Sequence, residues 1–462
     1  MKTLKVDVAI IGSGTAGLAA RRVASRAGAS TVMIEDGPYG TTCARVGCMP
    51  SKLLIAAADA AYTAAHAAPF GVHIDGVRVD GREVMERVRR ERDRFVDFVL
   101  RDVERIPEEE KLRGRARFLS DTVLQVDDHT QVQARSVIIA TGTRPNIPPQ
   151  YQPLADRAIV NDDVFNWEEL PESVAVVGAG VIGLELGQAL SRLGVRTRIL
   201  QRSKHLGGLR DPEVFESAVA AFQQELDLCL EAAILGVRRV GNEAEIRYQV
   251  PGTPEVTERF DYVLLAAGRV PNLDDMGLEN TSIALDDRGR PLFDAATLQI
   301  GDTPIFIAGD VNGVLPLLHE AADDGRIAGA NAAGYPANVT PGSRRAPLSI
   351  VFSDPQLAAV GLRFNELPED VAIGEVDFSN QGRSRIMLKN RGKLRVYAER
   401  GSGLFLGAEM AGPAMEHISH LLAWAAQQKL TVDQMLAMPF YHPVVEEGVR
   451  TALQNLAKAL AN

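Results

Sequence analysis

Two of the three cysteines in this 462-residue chain, Cys43 and Cys48, are separated by four residues. Two thiols at that spacing can store two electrons as a disulfide opens to a dithiol, and thiol exchange can pass them on. A bridge needs Cα atoms within about 7 Å, so the backbone between them must coil. Gly47, and an apparent helix start at Pro50-Ser51-Lys52, suit that coil. Cys48 would then lie near the positive end of a helix dipole, which favours its thiolate. Taken alone, the pair could equally be a structural disulfide or two ordinary buried thiols. Three cysteines are too few for a disulfide-stapled secreted scaffold. Cys229 stands in an apolar stretch and reads as a small buried hydrophobe.

The pair follows a nucleotide-binding pattern. An apolar strand, Val6 to Ile11, runs into Gly12-Ser13-Gly14-Thr15-Ala16-Gly17 and then a helical Leu18-Ala19-Ala20-Arg21-Arg22. Glycine suits a tight turn and a backbone that pyrophosphate must approach, and the helix N-terminus then faces the phosphates. A second strand from Ser30 to Ile34 ends in Glu35, spaced to bind ribose hydroxyls.

The pattern recurs at Ser173 to Val177, Gly178-Ala179-Gly180-Val181-Ile182-Gly183, a helix from Leu184, and a strand from Arg196 to Leu200. Two modules imply two dinucleotides, of which one can be a flavin and the other a nicotinamide. The second module ends in Gln201-Arg202-Ser203-Lys204, without an acid. An acid there holds the free ribose of NAD, whereas nearby Arg or Lys accepts the 2′-phosphate of NADP. Arg202 and Lys204 favour NADP unless they are solvated surface charges; Gly183 favours NAD.

The elements around these modules are short and apolar. Strands are expected at residues 137–142, 261–269 and 304–310, the last ending in Gly309-Asp310, where Asp310 could bond a sugar alcohol or merely cap a turn. A helix follows from Leu317, and an amphipathic surface helix is expected over 83–105. Pro-rich linkers lie at 145–153 and 336–347. The fold class is α/β. Apolar content of 46% and 41 glycines suit such a fold, and the length predicts about three domains. A net charge of −10, from 50 basic and 60 acidic residues, argues against nucleic acid or an anionic membrane as partner. No segment has the apolar length to cross a bilayer, and with no export signal the expected location is the cytoplasm. No metal site is expected.

In this order, over essentially the whole length, the chain resembles the flavin-dependent pyridine nucleotide–disulfide oxidoreductases (class I), and most closely their dihydrolipoamide dehydrogenase branch. The matching motifs are the flavin module, the cysteines, Ala140-Thr141-Gly142, the nicotinamide module, Ala267-Gly268-Arg269, Gly309-Asp310 and a terminal His442-Pro443 with Glu447. The resemblance implies two Rossmann-like dinucleotide-binding domains and a C-terminal α+β dimerisation domain. The implied boundaries are 1–148 and 272–342 for FAD, 149–271 for NAD(P) and 343–462 for the dimer interface. It implies that Cys43 exchanges with the substrate thiol and that Cys48 faces the flavin as its charge-transfer thiolate. Lys52 would lie near the reactive flavin nitrogen, paired with Glu185. His442 would act as acid/base, oriented by Glu447, in the active site of the other subunit, which makes a homodimer obligatory. FAD would be held by Gly12, Gly14, Thr15, Ala16, Gly17, Glu35, Thr42, Lys52, Ala116, Thr141, Gly142, Gly309, Asp310 and Leu318. NAD, with NADP possible, would be held by Gly178, Gly180, Val181, Ile182, Gly183, Gln201, Arg202 and Gly268.

The implied reaction oxidises dihydrolipoamide to lipoamide through a Cys43–Cys48 disulfide and FAD to NAD. Three departures bear on it: Ala44-Arg45-Val46-Gly47 between the cysteines, Tyr441 before His442, and Gln201. Without a further C-terminal cysteine pair, mercuric reductase and large thioredoxin reductase are disfavoured; with both redox cysteines present, so is a soluble transhydrogenase. An NADPH-dependent glutathione-type reductase is the runner-up, and a catalytically silent flavoprotein component the alternative from another class. The apolar run from Ile418 to Ala426 is expected either to pack in the dimer interface or in the core.

Overall fold

The computed structural model describes residues 1–461. They form two compact units, each discontinuous in sequence. The first comprises Met1–Pro50, Arg89–Asn146 and Arg269–Arg344; the second comprises Ser51–Val88, Ile147–Gly268 and the chain from Arg345 onward.

The first unit is built on a mixed sheet. Strand β1 (Lys2–Ile11) lies between β2 (Thr31–Glu35) and the strand Thr130–Ile139, parallel to both. The far edge of Thr130–Ile139 is shared. Its first half pairs antiparallel with Val123–Val126, and its last three residues pair in parallel with Ile305–Ile307. Residues 8–11, 137–139 and 305–307 are almost fully buried, the continuous apolar signature of strands covered on both faces. On one face the helix α1 (Thr15–Arg26) packs against the helix Leu318–Gly334. That contact is close because it uses small residues: a Cβ on Gly325 would stand 2.3 Å from the Ala16 carbonyl oxygen, and one on Gly329 2.4 Å from that of Ala20.

The second unit holds a five-stranded parallel sheet in the order Asp227–Cys229, Arg196–Leu200, Ser173–Val177, Tyr262–Leu265, Ala158–Ile159. A three-stranded antiparallel meander, Ala233–Val240 to Val256–Phe260, shares a core with it. The rest of this unit is an antiparallel sheet ordered Leu348–Val351, Gln356–Gly361, Phe405–Gly412, Lys393–Glu399, Val371–Asp377. The helices Met415–Gln427 and Glu447–Ala461 seal it over Phe378, Leu394, Val396 and Met410. The chain is thus the α/β assembly expected, two glycine-turn sheets, one mixed and one parallel, followed by an α+β segment.

Three details differ from the sequence reading. Cys43 lies in a short helix, α2 (Thr42–Val46), and the next helix, α3 (Cys48–Ala65), starts at Cys48 and not at Pro50. A proline is tolerated anywhere in a first turn, where its missing N–H has no partner to lose, so it does not fix the first residue. The amphipathic helix is α4 (Gly81–Glu104), but Phe98 lies on its exposed side. In Met415–Gln427, Ile418 and Leu422 are core residues, while Trp424 is 67% exposed; the helix serves the core on one face and leaves an open apolar face on the other. Among the described residues no helix is long and apolar enough to cross a membrane.

Candidate active site

The first glycine turn shows why each glycine is there. Gly12 has φ +107°, and a Cβ on it would meet the Ala140 carbonyl oxygen at 2.3 Å. A Cβ on Gly17 would lie 2.0 Å from the Gly12 oxygen, so strand and helix can close only without one. Around Gly14 nothing lies within 4 Å: its missing side chain leaves room for a ligand, not for protein. The turn opens into a cleft of about 600 Å³. Gly12, Gly14, Glu35, Thr42, Ala116, Thr141 and Gly142 all line it. Thr15, Ala16 and Gly17 stand in the first turn of α1. Gly309, Asp310 and Leu318 are not among the lining residues of this cleft. Gly309 packs against Ala16, where a Cβ would come within 2.9 Å of the alanine Cβ, and Leu318 opens the helix Leu318–Gly334. Burial pushes the Asp310 carboxyl up, opposed by the Arg269 guanidinium and a hydrogen bond with Thr143.

Glu35 is held by the turn. Its Oε2 accepts from Ser13 N at 2.8 Å and Ser13 Oγ at 2.7 Å, and its Oε1 from Gly37 N at 2.8 Å. A carboxylate has about four acceptor sites, so one remains on Oε1 for a ribose hydroxyl. The far wall was not foreseen: Arg115, Arg144, Asn272, Asp274, Asp275 and Met276. Asn272 and Thr141 clasp each other, Thr141 Oγ1 donating to the Asn272 oxygen at 2.7 Å and Asn272 Nδ2 to the Thr141 oxygen at 2.9 Å. These residues and this opening fit a dinucleotide with its diphosphate over the glycine turn.

The cysteine loop is part of the same wall. Thr41, Thr42 and Arg45 line the cleft. Thr41 has φ +55°, an unusual conformation for a β-branched residue, and its Oγ1 accepts from Ala44 N at 3.3 Å. It caps α2, which carries a half-buried Cys43. Gly47 then reverses the chain; a Cβ there would lie 3.1 Å from the Thr42 oxygen. Cys48 follows as the exposed first residue of α3. Four residues on, Lys52 Nζ lies 2.7 Å from Glu185 Oε2 and 4.5 Å from the centre of the Phe352 ring. Glu185 is only 4% exposed, and its Oε1 accepts from Phe352 N at 3.0 Å. Phe352 had no sequence signal.

The second module repeats the first. Gly178 has φ +110° and a would-be Cβ 2.4 Å from the Ala266 oxygen; that of Gly183 would stand 1.8 Å from the Gly178 oxygen; Gly180 again faces open space. Val181 and Ile182 begin the helix Val181–Arg192, and Gly268 has φ +93°. Gln201 takes the place of Glu35. Its Oε1 accepts from Ala179 N at 2.9 Å and its Nε2 donates to Ser203 Oγ at 3.0 Å. Arg202 is exposed, and Lys204 lies 3.8 Å from Glu231.

His442 and Glu447 are joined. His442 Nδ1 is 3.0 and 3.1 Å from the two carboxylate oxygens, and Val444 N donates to Glu447 Oε2 at 3.2 Å. The contact with His442 holds the Glu447 carboxyl below its ordinary range, with Val444 N assisting. The imidazole is 80% exposed, so its other nitrogen is open to a reactant or a second protein surface. Cys229 is half-buried beside Asp227, and burial pushes its thiol up.

Known proteins agree with this layout. The family described as "Pyridine nucleotide-disulphide oxidoreductase" matches residues 6–325, and its dimerisation domain matches 348–453. The chain is 28% identical to a dihydrolipoyl dehydrogenase of Bacillus subtilis over 460 residues, covering 97% of this chain and 98% of that one. It is 27% identical to the dihydrolipoyl dehydrogenase of Chlamydia trachomatis over 452 residues, covering 96% and 94%. LpdA from Mycobacterium tuberculosis shares the fold with a TM-score of 0.82 at 23% identity, over 99% and 100% of the two chains. The flavoprotein disulfide reductase RclA from Escherichia coli shares it at 0.79 and 21%, over 98% and 99%. The chain belongs to the class I pyridine nucleotide–disulfide oxidoreductases, as an FAD-dependent enzyme acting on sulfur groups with a pyridine nucleotide as partner and a dimerisation domain at its C-terminal end.

Proposed function

We propose that the enzyme oxidises a dihydrolipoyl group to its disulfide, with Cys43 and Cys48 as the redox pair. The observation that carries this reading is that the loop bearing both cysteines is itself a wall of the dinucleotide cleft, through Thr41, Thr42 and Arg45. Bound FAD supplies the two-electron carrier between the dithiol and the pyridine nucleotide. The protein residues perform the thiol chemistry. A substrate thiolate attacks Cys43 Sγ of the disulfide, forming a mixed disulfide and releasing Cys48 as thiolate. The second substrate thiol, deprotonated, attacks the substrate sulfur of that mixed disulfide, closing the lipoyl ring and releasing Cys43. His442 of the partner subunit takes the proton, and its partner carboxylate orients the ring and favours its charged form. Lys52 and Glu185 form an ion pair one turn beyond Cys48; by the resemblance, Lys52 would stand near the reactive edge of the flavin.

The lipoyl substrate is supported by the curated relatives, which are named for it at 27–29% identity. For the coenzyme, we expect NAD to work with a weakened preference and NADP to be used measurably. Gln201 keeps the hydrogen bond to the glycine turn but carries no charge to repel a 2′-phosphate. Arg202 can meet that phosphate with a bidentate contact, and the Ser203 hydroxyl, which accepts from Gln201, still has its proton to donate. The same three residues favour the second reading, a glutathione-type reductase using NADPH.

One set of assays separates these readings. Dihydrolipoamide oxidation is measured with NAD and NADP, and disulfide reduction with oxidised glutathione and lipoamide. The proposal expects the highest kcat/KM with the lipoyl pair. Glutathione reduced faster than lipoamide would replace it with the second reading; inactivity on both would leave the chain without the proposed substrate.

A further inference from the structure

Arg45 is one of the chain's departures from the common family pattern, and it stands in the cleft. Three cations line that cleft, and two of them are neutralised by the protein. Arg144 Nη2 lies 2.6 Å from Asp274, and Arg115 Nη2 lies 3.4 Å from Asp275. Arg45 is different: among the described residues its guanidinium has no carboxylate or hydrogen-bond partner. Its stem is nonetheless seated. Cδ and Cγ pass 3.1 and 3.3 Å from where a Cβ on Gly40 would stand, beside Val96. Gly40, at φ +117°, and the strained Thr41 therefore do two things: they turn the chain into α2, and they leave the groove in which this side chain lies. A half-buried arginine seated at its stem, in the same cleft as the N-terminus of α1, has the chemistry to bind an anion.

We infer that Arg45 binds the diphosphate of FAD, so that the redox loop and the flavin hold each other in place. The inference rests on the cleft being the FAD site. The ligand it needs is a diphosphate: adenosine alone offers no charge for the guanidinium. Because Arg45 and Cys43 share the short helix α2, the contact would also fix the loop that presents the thiols.

The test follows FAD release on dilution of the wild-type, Arg45→Ala and Arg45→Lys holoenzymes, read as free flavin fluorescence at several salt concentrations. Competition by ADP and by adenosine is measured alongside. Loss of one or two charge-assisted hydrogen bonds predicts that Arg45→Ala raises the FAD dissociation constant roughly ten- to a hundredfold. Arg45→Lys should fall between, and the salt dependence should shrink in Arg45→Ala. ADP should lose a comparable factor and adenosine none. Equal retention of FAD in all three proteins overturns the assignment, as does equal loss of ADP and adenosine, which would mean that the cleft has merely loosened. Should Arg45→Ala not fold, Arg45→Gln keeps most of the stem on Gly40 and gives the same readouts. A wild-type protein that binds no FAD would instead overturn the reading of the cleft itself.

Discussion

The two glycine turns share one backbone plan, and they differ in the side chain that ends the module: a carboxylate at Glu35, an amide at Gln201. In each, the first glycine has φ near +110°, a Cβ on the last would stand 2.0 or 1.8 Å from a backbone oxygen, and one on the middle glycine would meet nothing within 4 Å. In each, the residue ending the second strand accepts a hydrogen bond from the turn: Glu35 from Ser13 N at 2.8 Å, Gln201 from Ala179 N at 2.9 Å. Glu35 brings a charge to that bond and Gln201 an amide. On the proposed reading the glycines make room for a dinucleotide, and the strand end sets which ribose is favoured.

If the glycines are equivalent, equivalent damage should follow from equivalent changes. Gly17→Ala and Gly183→Ala both place a Cβ about 2 Å from a carbonyl oxygen, forcing strand and helix apart at a cost of about 1–3 kcal/mol or more. Gly17→Ala should release FAD from the purified protein. Gly183→Ala should keep FAD but lower kcat/KM for the pyridine nucleotide by about tenfold to a hundredfold. Flavin content and coenzyme kinetics of the two variants check this; loss of FAD from Gly183→Ala would break the separation of the two modules.

The strand-end residue gives the next largest effect. Gln201→Glu restores the acid and should lower kcat/KM for NADP by about one to two decades while sparing NAD. An unchanged ratio of the two coenzymes would remove Gln201 as a determinant. Arg202→Ala should act in the same direction but less, within about tenfold, because an exposed ion contact is worth about 0–1 kcal/mol and a phosphate contact somewhat more. If that substitution leaves the NADP rate untouched, Arg202 is a surface charge.

Most of this was legible in the sequence, because glycine turns are local: strand, turn, helix and terminal acid lie within thirty residues and each has its own pattern. So were the cysteine loop and the His442–Glu447 pair, five residues apart and joined in the fold. The Lys52–Glu185 pair spans 133 residues, and only the family resemblance linked the two. What had no signal was the far wall of the cleft. Arg115, Arg144 and Asp274 stand on separate segments; the pairing of Thr143–Pro145 with Arg269–Pro271 brings Arg144 beside Asp274, and Arg115 reaches the Asp274 carbonyl at 3.2 Å. Phe352 likewise reaches Glu185 from a segment 167 residues away. The helix start was misplaced for a simpler reason: Pro50 marks a first turn without marking its first residue.

The mechanism turns on Cys43 and Cys48 being the redox pair, and thiol counting tests that most directly. The oxidised holoenzyme is treated anaerobically with NADH or NADPH, quenched in denaturant with an alkylating agent, and compared by peptide mass with an untreated sample. The mechanism predicts that Cys43 and Cys48 both become alkylated only after reduction, two thiols gained per chain, while Cys229 is alkylated in both samples. In Cys43→Ser, FAD should remain bound and dithiol turnover should be lost. Cys43 and Cys48 alkylated to the same extent before and after reduction would contradict the redox assignment.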